Sequence, residues 1–163
     1  MHKLLETHDD IWEWHVQGHY IVIPTNLGYK SNGHNVMGRG LAQDAAYRYP
    51  DIPKIYGEYC RSRTTGSGVM LIHEHRLVLF PTKPLDKKNP QLSWRQSSSL
   101  DTIESALMEI NSTVDMIEDP HCQVVFPLVG CGNGNLDPED VLPLLRRYLN
   151  GGRFVLCFPP DHA

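Results

Sequence analysis

The sequence predicts an α/β protein in three layers, αβα, with helices on both faces of a mixed central sheet. Three observations carry that expectation. Short apolar runs of strand length alternate with helical patterns along the chain. Two of the runs sit close together as a hairpin-like pair, and two others end in glycine-bearing loops that lead into helices. The 163 residues, 40% of them hydrophobic, suffice for one compact domain with a sizeable core and are too few for two. Residues 1–163 are therefore read as a single domain.

The elements follow in order. "HYIVIP" (19–24) reads as a buried strand, followed by a loop through Gly38 and a helix to Tyr49 that Pro50 ends. A second short helix, "PKIYGEYCRSR", precedes a glycine-bearing turn, and "GVMLIH" and "HRLVLFP" form the hairpin-like pair. The stretch "KPLDKKNPQLSWRQSS" (83–98) has prolines, clustered charge and no periodicity, so it reads as a loop. It is long for a connector, which favours a functional lid. Leu100, Ile103, Leu107, Ile110, Val114 and Ile117 then recur at alternating steps of three and four residues, with Asp101 and Glu104 near the start of their helix. "CQVVFPLV" (122–129) is another buried strand and "GCGNGN" a glycine loop. "DPEDVLPLLRRYL" is a helix with Asp137 as N-cap and Pro138 at its first position, and "RFVLCF" is the last strand. No repeat, low-complexity tract or internal linker is visible.

Fifteen Lys and Arg against nineteen Asp and Glu give a formal charge of -4, so no general attraction to a nucleic-acid backbone or an anionic membrane is expected. Any anionic ligand must be held locally. Cys60, Cys122, Cys131 and Cys157 form no CxxC pair and read as reduced thiols in a cytosol. The N-terminal stretch lacks the apolar run of a signal peptide, and no run of about 18 apolar residues could span a membrane. The expectation is a soluble, cytoplasmic protein.

In an α/β sheet, ligands bind beyond the carboxyl ends of strands. "VIPTNLGYKSNGHNVMGRGLA" and "VFPLVGCGNGNLDPEDV" both end a buried strand, bare their backbone N–H groups through glycines and present the positive end of a helix dipole. Two such junctions suit a diphosphate. Gly38 and Gly40 would let the backbone approach phosphate oxygens where a Cβ would intrude, although either loop alone is equally well explained by turn geometry. A Walker loop is absent. "GCGNGN" has GxGxG spacing with no acidic residue at the distance ribose binding requires, which speaks against a Rossmann dehydrogenase.

These segments resemble the macro domains, which bind ADP-ribose and its derivatives. "HDDIW" resembles the family's Gly-Asp-Ile segment, and "IVIPTN" its strand ending in asparagine. "NGHNVMGRGLA" resembles the first phosphate loop and helix, and "FPLVGCGNGNLDPEDVLPLL" the second, in the family's order and spacing over nearly the whole chain. The resemblance implies a three-layer macro domain-like fold. It is strongest to the branch of terminal ADP-ribose glycohydrolases and antitoxin macro domains that strip ADP-ribose from DNA bases, in which "FPTK" (80–83) corresponds to the strand end bearing a catalytic lysine. That residue is Lys83, which would attack the anomeric carbon C1'' once the glycosidic bond opens, or stabilise charge there as a cation. Position alone would make it a solvated lysine.

One departure matters. Glycohydrolases acting on protein carboxylates carry an aspartate in the second loop, where this chain, aligned on "GCG", has Gly134. A Lys plus Asp mechanism therefore does not carry over. Asp137 nearby serves as a helix cap. The resemblance further implies that Asp10, with the Ile11 backbone, accepts a hydrogen bond from the adenine amine. It also implies that Asn26 and Asn35 bond the distal ribose and orient C1'', which makes Asn35 a second catalytic candidate. Val36, Met37, Gly38 and Gly40 would line the diphosphate from the first loop, with Gly130, Cys131, Gly132, Asn133, Gly134 and Asn135 opposite. Each asparagine has a rival role in bonding its own backbone, and Asp10 one in a turn.

No metal or cofactor is expected. His73 and His75 could share a strand face but lack a third ligand, and Cys131 reads as packing. Lys83, Lys87, Lys88 and Arg95 form a small basic cluster around the lid, where Trp94 could stack on a base, although charge-rich loops are by default solvated. The leading expectation is release of ADP-ribose from a modified protein or nucleic acid. Hydrolysis of a small derivative, such as ADP-ribose 1''-phosphate or O-acetyl-ADP-ribose, and a non-catalytic ADP-ribose reader remain alternatives.

Overall fold

The computed structural model describes residues 4–160. Its strands are β1 (Leu5–His8), β2 (Tyr20–Asn26), β3 (Met70–Ile72), β4 (Leu77–Lys83), β5 (Val124–Phe126) and β6 (Phe154–Phe158). They form one six-stranded sheet in the order β1-β6-β5-β2-β4-β3. Neighbours run parallel except β3 and β4, which pair antiparallel with Met70 opposite Leu79. The sheet is therefore mixed, and the hairpin-like pair accounts for its antiparallel edge. Between strands lie α1 (Ile11–Val16), α2 (Gly40–Arg48), α3 (Ile52–Ser62), α4 (Leu100–Val114) and α5 (Pro138–Tyr148).

Side chains alternate across each strand, so successive residues of one strand feed two cores. Val22, Phe80, Phe126 and Leu156 pack with Ile103 and Leu107 of α4 and Val141 and Leu145 of α5. Ile21, Ile23 and Leu79 face the other way, against Trp12 of α1, Ala45 of α2 and Tyr56 of α3. Both faces being covered, the central strands read as unbroken apolar runs. Each fully buried Leu, Ile or Phe among them contributes about 1.5–3 kcal/mol.

This layering positions the site. β2 and β5 are neighbours, yet the helix that follows β2 packs on one face and the helix that follows β5 on the other. The chain diverges between them and leaves a crevice at their carboxyl ends. Helix starts are capped in the ordinary way at three places: Trp12 N donates to Asp10 Oδ1 (2.9 Å), Thr102 N to Ser99 Oγ (3.3 Å) and Glu139 N to Asp137 Oδ1 (2.9 Å). α2 and α3 lack a side-chain cap bond at their N-cap residues Arg39 and Asp51, and of the two only the start of α2 lines the crevice. The positive end of α2 thus faces the crevice open.

Some boundaries differ from the sequence expectation. β2 runs two residues past Pro24, and β5 stops at Phe126 because Pro127 cannot donate to a ladder. α4 stops at Val114, yet Ile117 beyond it remains 4% exposed and in the core. The 83–98 stretch is not wholly irregular: Pro90–Arg95 form a 3-10 turn. β1 and α1 were not expected at all. Among the described residues no helix is long and apolar enough to cross a membrane.

Candidate functional site

A cavity of about 990 Å³ opens at the carboxyl ends of β2, β4, β5 and β6. The first glycine junction brings Val36, Gly38 and Gly40 to its wall, and the second brings Gly130, Cys131, Gly132, Asn133 and Gly134. The two loops meet, since a Cβ at Gly40 would lie 3.6 Å from Asn133 Nδ2. Gly40 also has φ +57°, a conformation that favours glycine.

The glycines divide into two kinds. A Cβ at Gly38 would meet nothing nearer than Val36 Cγ1 at 4.0 Å, and one at Gly132 nothing within 4 Å. Packing does not require glycine at either position, so their bare backbone is available to a ligand. Gly130 and Gly134 are packing positions. Gly130 has φ +79° and Ile103 Cδ1 2.8 Å from the place of a Cβ. A Cβ at Gly134 would stand 2.5 Å from the Gly130 carbonyl oxygen and closer still to Ser98 Oγ. The place of a side chain at Gly134 is therefore sterically closed.

Lys83 ends β4 opposite Asn26, after a register shift between Thr25 and Asn26, and lines the cavity. Its Nζ donates to the Trp94 carbonyl at 2.9 Å. Partial burial, with a smaller contribution from the Arg39 guanidinium, holds its amine below the ordinary lysine pKa. The strand end is tied to the second loop: Ser98 Oγ donates to Thr82 Oγ1 (3.2 Å), Ser98 N to the Gly134 carbonyl (2.9 Å) and Ser99 N to the Thr82 carbonyl (2.9 Å).

Asn26 and Asn35 lock the first loop. Asn26 Nδ2 donates to the Val36 carbonyl (2.9 Å) and its Oδ1 accepts from Gly28 N (2.9 Å). Asn35 Nδ2 donates to the Asn26 and Gly28 carbonyls and to Asn26 Oδ1, at 2.8–3.1 Å. Asn26 reaches the cavity wall, whereas Asn35 lies behind it, 2% exposed, with a buried Oδ1 that has no partner. Two further residues of the expected set lie off the wall. Met37 is packed in the core against α3, and Asn135 forms a left-handed turn at φ 66° beyond the loop.

At the other end, β6 and β1 deliver Asp10 and Ile11 to the wall. Asp10 faces the cavity while capping α1. From β6 to β4 is three strand spacings, roughly 14 Å at about 4.8 Å each. Among the wall residues that had no role in the sequence reading are Phe158, Arg39 and Asp9. Phe158 stacks on His8, with centroids 5.0 Å apart. Arg39 caps α2. Burial raises the Asp9 pKa, but hydrogen bonds from Cys157, Trp14 and Thr7 outweigh it and hold the carboxyl below its ordinary value. The rule that sites gather at strand ends, applied to "RFVLCFPP", would have pointed to Phe158.

The histidines are explained otherwise. His73 and His75 lie on a 3-10 turn rather than a strand; Tyr20 Oη pairs with the one (3.1 Å) and Asp51 with the other (3.0 Å). Among the described residues no cluster of His, Cys, Asp and Glu could hold a metal. Burial, then the Asp137 charge, raises the Cys131 pKa and so disfavours the thiolate.

No family model matches the sequence. The chain is 29% identical over 113 residues to a DNA ADP-ribosyl glycohydrolase of Mycobacterium tuberculosis, covering 65% of this chain and 29% of that protein. It is 28% identical over 142 residues to a DNA ADP-ribosyl transferase-DNA ADP-ribosyl glycohydrolase fusion protein of Thermosipho africanus, covering 72% and 34%. The chain thus spans about a third of the length of these relatives. Among solved structures, the macrodomain of Mycobacterium tuberculosis DarG superposes with a TM-score of 0.71 at 24% identity, over 97% of this chain and 99% of that one. The macrodomain of Thermus aquaticus DarG gives 0.71 at 20%, over 98% of each chain. Thermosipho africanus DarTG in complex with ADP-ribose gives 0.64 at 25%, over 88% and 39%. With its mixed six-stranded sheet and two opposed glycine loops, the chain has the macrodomain fold of these structures.

Proposed function

We propose that this macro domain binds ADP-ribose in the cavity and releases it hydrolytically from modified DNA. One observation carries the reading: a half-buried lysine amine stands at the β4 end of the cavity, Asp10 stands toward the β1 end, and two bare-backbone loops lie between. Diphosphate would sit between the loops, against the open end of α2, where the dipole and free N–H groups favour negative charge. Asp10 would accept from the adenine amine. C1'' of the distal ribose would then lie by Lys83.

The lowered pKa of Lys83 enlarges its neutral fraction, and only the neutral amine is a nucleophile. As the bond from C1'' to the target breaks, the amine adds to C1'', and the proton it loses balances the one gained by the leaving group. Water then displaces the lysine, giving free ADP-ribose and the original amine. No acid at Gly134 is used. The names borne by the relatives of this chain support DNA as the target.

The test uses an ADP-ribosylated oligonucleotide. The parent protein should release ADP-ribose, and Lys83→Ala should lower turnover by orders of magnitude while ADP-ribose affinity, on the order of micromolar or about -8 kcal/mol, stays unchanged. A parent that binds ADP-ribose but releases none would be a reader, and no heat at millimolar ADP-ribose would sink the reading altogether.

A further inference from the structure

The 3-10 turn Pro90–Arg95 is mounted rigidly on the exit of β2. Ser93 is fully buried, its Oγ donating to the Pro90 carbonyl (2.8 Å) and accepting from Asp86 N (2.9 Å). Gly28 lies so close beneath that a Cβ there would come within 2.5 Å of Ser93 Cβ. The residue after this anchor is Trp94. It is the one tryptophan of three that is strongly exposed, at 38%, and it stands on the cavity wall with its carbonyl on Lys83 Nζ.

The cations of this segment make no ion pair among the described residues, while the carboxylates of the cavity wall, Asp9, Asp10 and Asp44, belong to other elements. Among the described residues the only ion pairs are His75 with Asp51 and Arg146 with Glu6. Arg39, Lys83, Lys87, Lys88 and Arg95 therefore have no carboxylate partner there, on a chain whose net charge is -4. Asp86, the acid of the same segment, is engaged by the backbone N–H groups of Lys88 and Asn89. An exposed aromatic ring amid uncompensated cations is the surface that binds a nucleic-acid strand, with stacking for a base and cations for its phosphates.

We propose that this turn is the platform for the target strand: the Trp94 indole stacks on the nucleobase that carries ADP-ribose, Arg95 contacts a neighbouring phosphate, and the Trp94 carbonyl holds Lys83 at the bond to be broken. Trp94 is thus a specificity and positioning residue, with its ring serving the target and its backbone the lysine. The inference rests on the DNA reading above.

The experiment compares the parent, Trp94→Ala and Trp94→Phe on a single-stranded ADP-ribosylated oligonucleotide and on free ADP-ribose. Trp94→Ala should lower kcat/KM on the oligonucleotide roughly 5- to 150-fold, the range of base–aromatic stacking, and mainly through KM. The carbonyl survives the substitution, so kcat should hold. Trp94→Phe should recover most of the loss, and free ADP-ribose should bind all three proteins alike. Arg95→Ala should lower the slope of log affinity against log salt by roughly 0.7, one single-strand phosphate. Equal losses on the oligonucleotide and on free ADP-ribose would make Trp94 a wall of the ADP-ribose site and overturn the platform, as would unchanged kinetics. If the parent releases nothing, hydrolysis fails while the platform is judged by the Kd of the same oligonucleotide, which Trp94→Ala must weaken by the same factor.

Discussion

Gly134→Ala tests whether the second loop has room for any side chain. Its Cβ would lie 2.5 Å from the Gly130 carbonyl oxygen and 2.7 Å from Ser98 Cβ, where ordinary contact begins near 3.4 Å. The loop must open by roughly 1 Å, an overpacking that costs about 1–3 kcal/mol. Neither neighbour yields freely: the Gly130 carbonyl accepts from Leu136 N at 2.9 Å, and Ser98 is held by Gly134 and Thr82. Displacing Ser98 also gives up its bond to Thr82 Oγ1, about 1 kcal/mol more. The sum is roughly 2–4 kcal/mol, or a fall in Tm of roughly 4–16 °C for a domain of this size. Thermal and urea unfolding followed by circular dichroism would read it. Gly132→Ala, which meets nothing within 4 Å, is the control and should stay within about 0.5 kcal/mol of the parent. Equal stability of the two variants would refute the steric argument. It would also reopen the second loop to a catalytic acid.

Gly38→Val should leave Tm unchanged, because its Cβ enters open space, yet abolish measurable heat of ADP-ribose binding by blocking the diphosphate. A folded Gly38→Val that binds as the parent does would make Gly38 a turn glycine. Because Lys83 must be neutral to attack, kcat/KM should rise with pH and level off below the ordinary lysine value; Arg39→Ala should move that limb to higher pH by removing a neighbouring cation. A pH profile that does not move would detach Arg39 from the lysine. Burial, reinforced by Arg76 and Arg48, holds His15 below the ordinary histidine pKa of 6.5, although its bond to the His75 carbonyl opposes the shift. The unfolded chain then binds a proton that the folded chain refuses, so stability is full above 6.5 and falls as pH drops through 6.5 toward the folded pKa. His15→Gln should flatten Tm against pH in that window.

The central strands, α4 and α5 were legible because burial on both faces or on one stripe leaves an unmistakable apolar pattern. β1 was not. Leu5, Glu6 and His8 are exposed on an edge strand, so the pattern carries no alternation, and six-residue α1 is too short for a helical period. The loops were legible as phosphate cradles, but their sequence did not distinguish Gly38 from Gly134, since only the neighbours of a missing Cβ separate a ligand glycine from a packing glycine. Arg39 was invisible for a related reason, whereas Phe158 closes a strand and was open to the strand-end rule. Arg39 bears on Lys83, distant in sequence, and single-chain periodicity contains no such information.

Each of the two glycine loops is tied by hydrogen bonds to the rest of the protein. The Asn26–Asn35 pair holds the first, while Leu136 N on the Gly130 carbonyl and Ser98 N on the Gly134 carbonyl hold the second. Little chain entropy remains to be lost when a ligand arrives, so the cradle is preorganised. Capture then proceeds at the rate of encounter, and differences among analogues should emerge as residence times rather than association rates. A pyrophosphate lengthened by one methylene would meet walls that do not adapt, and its dissociation should quicken.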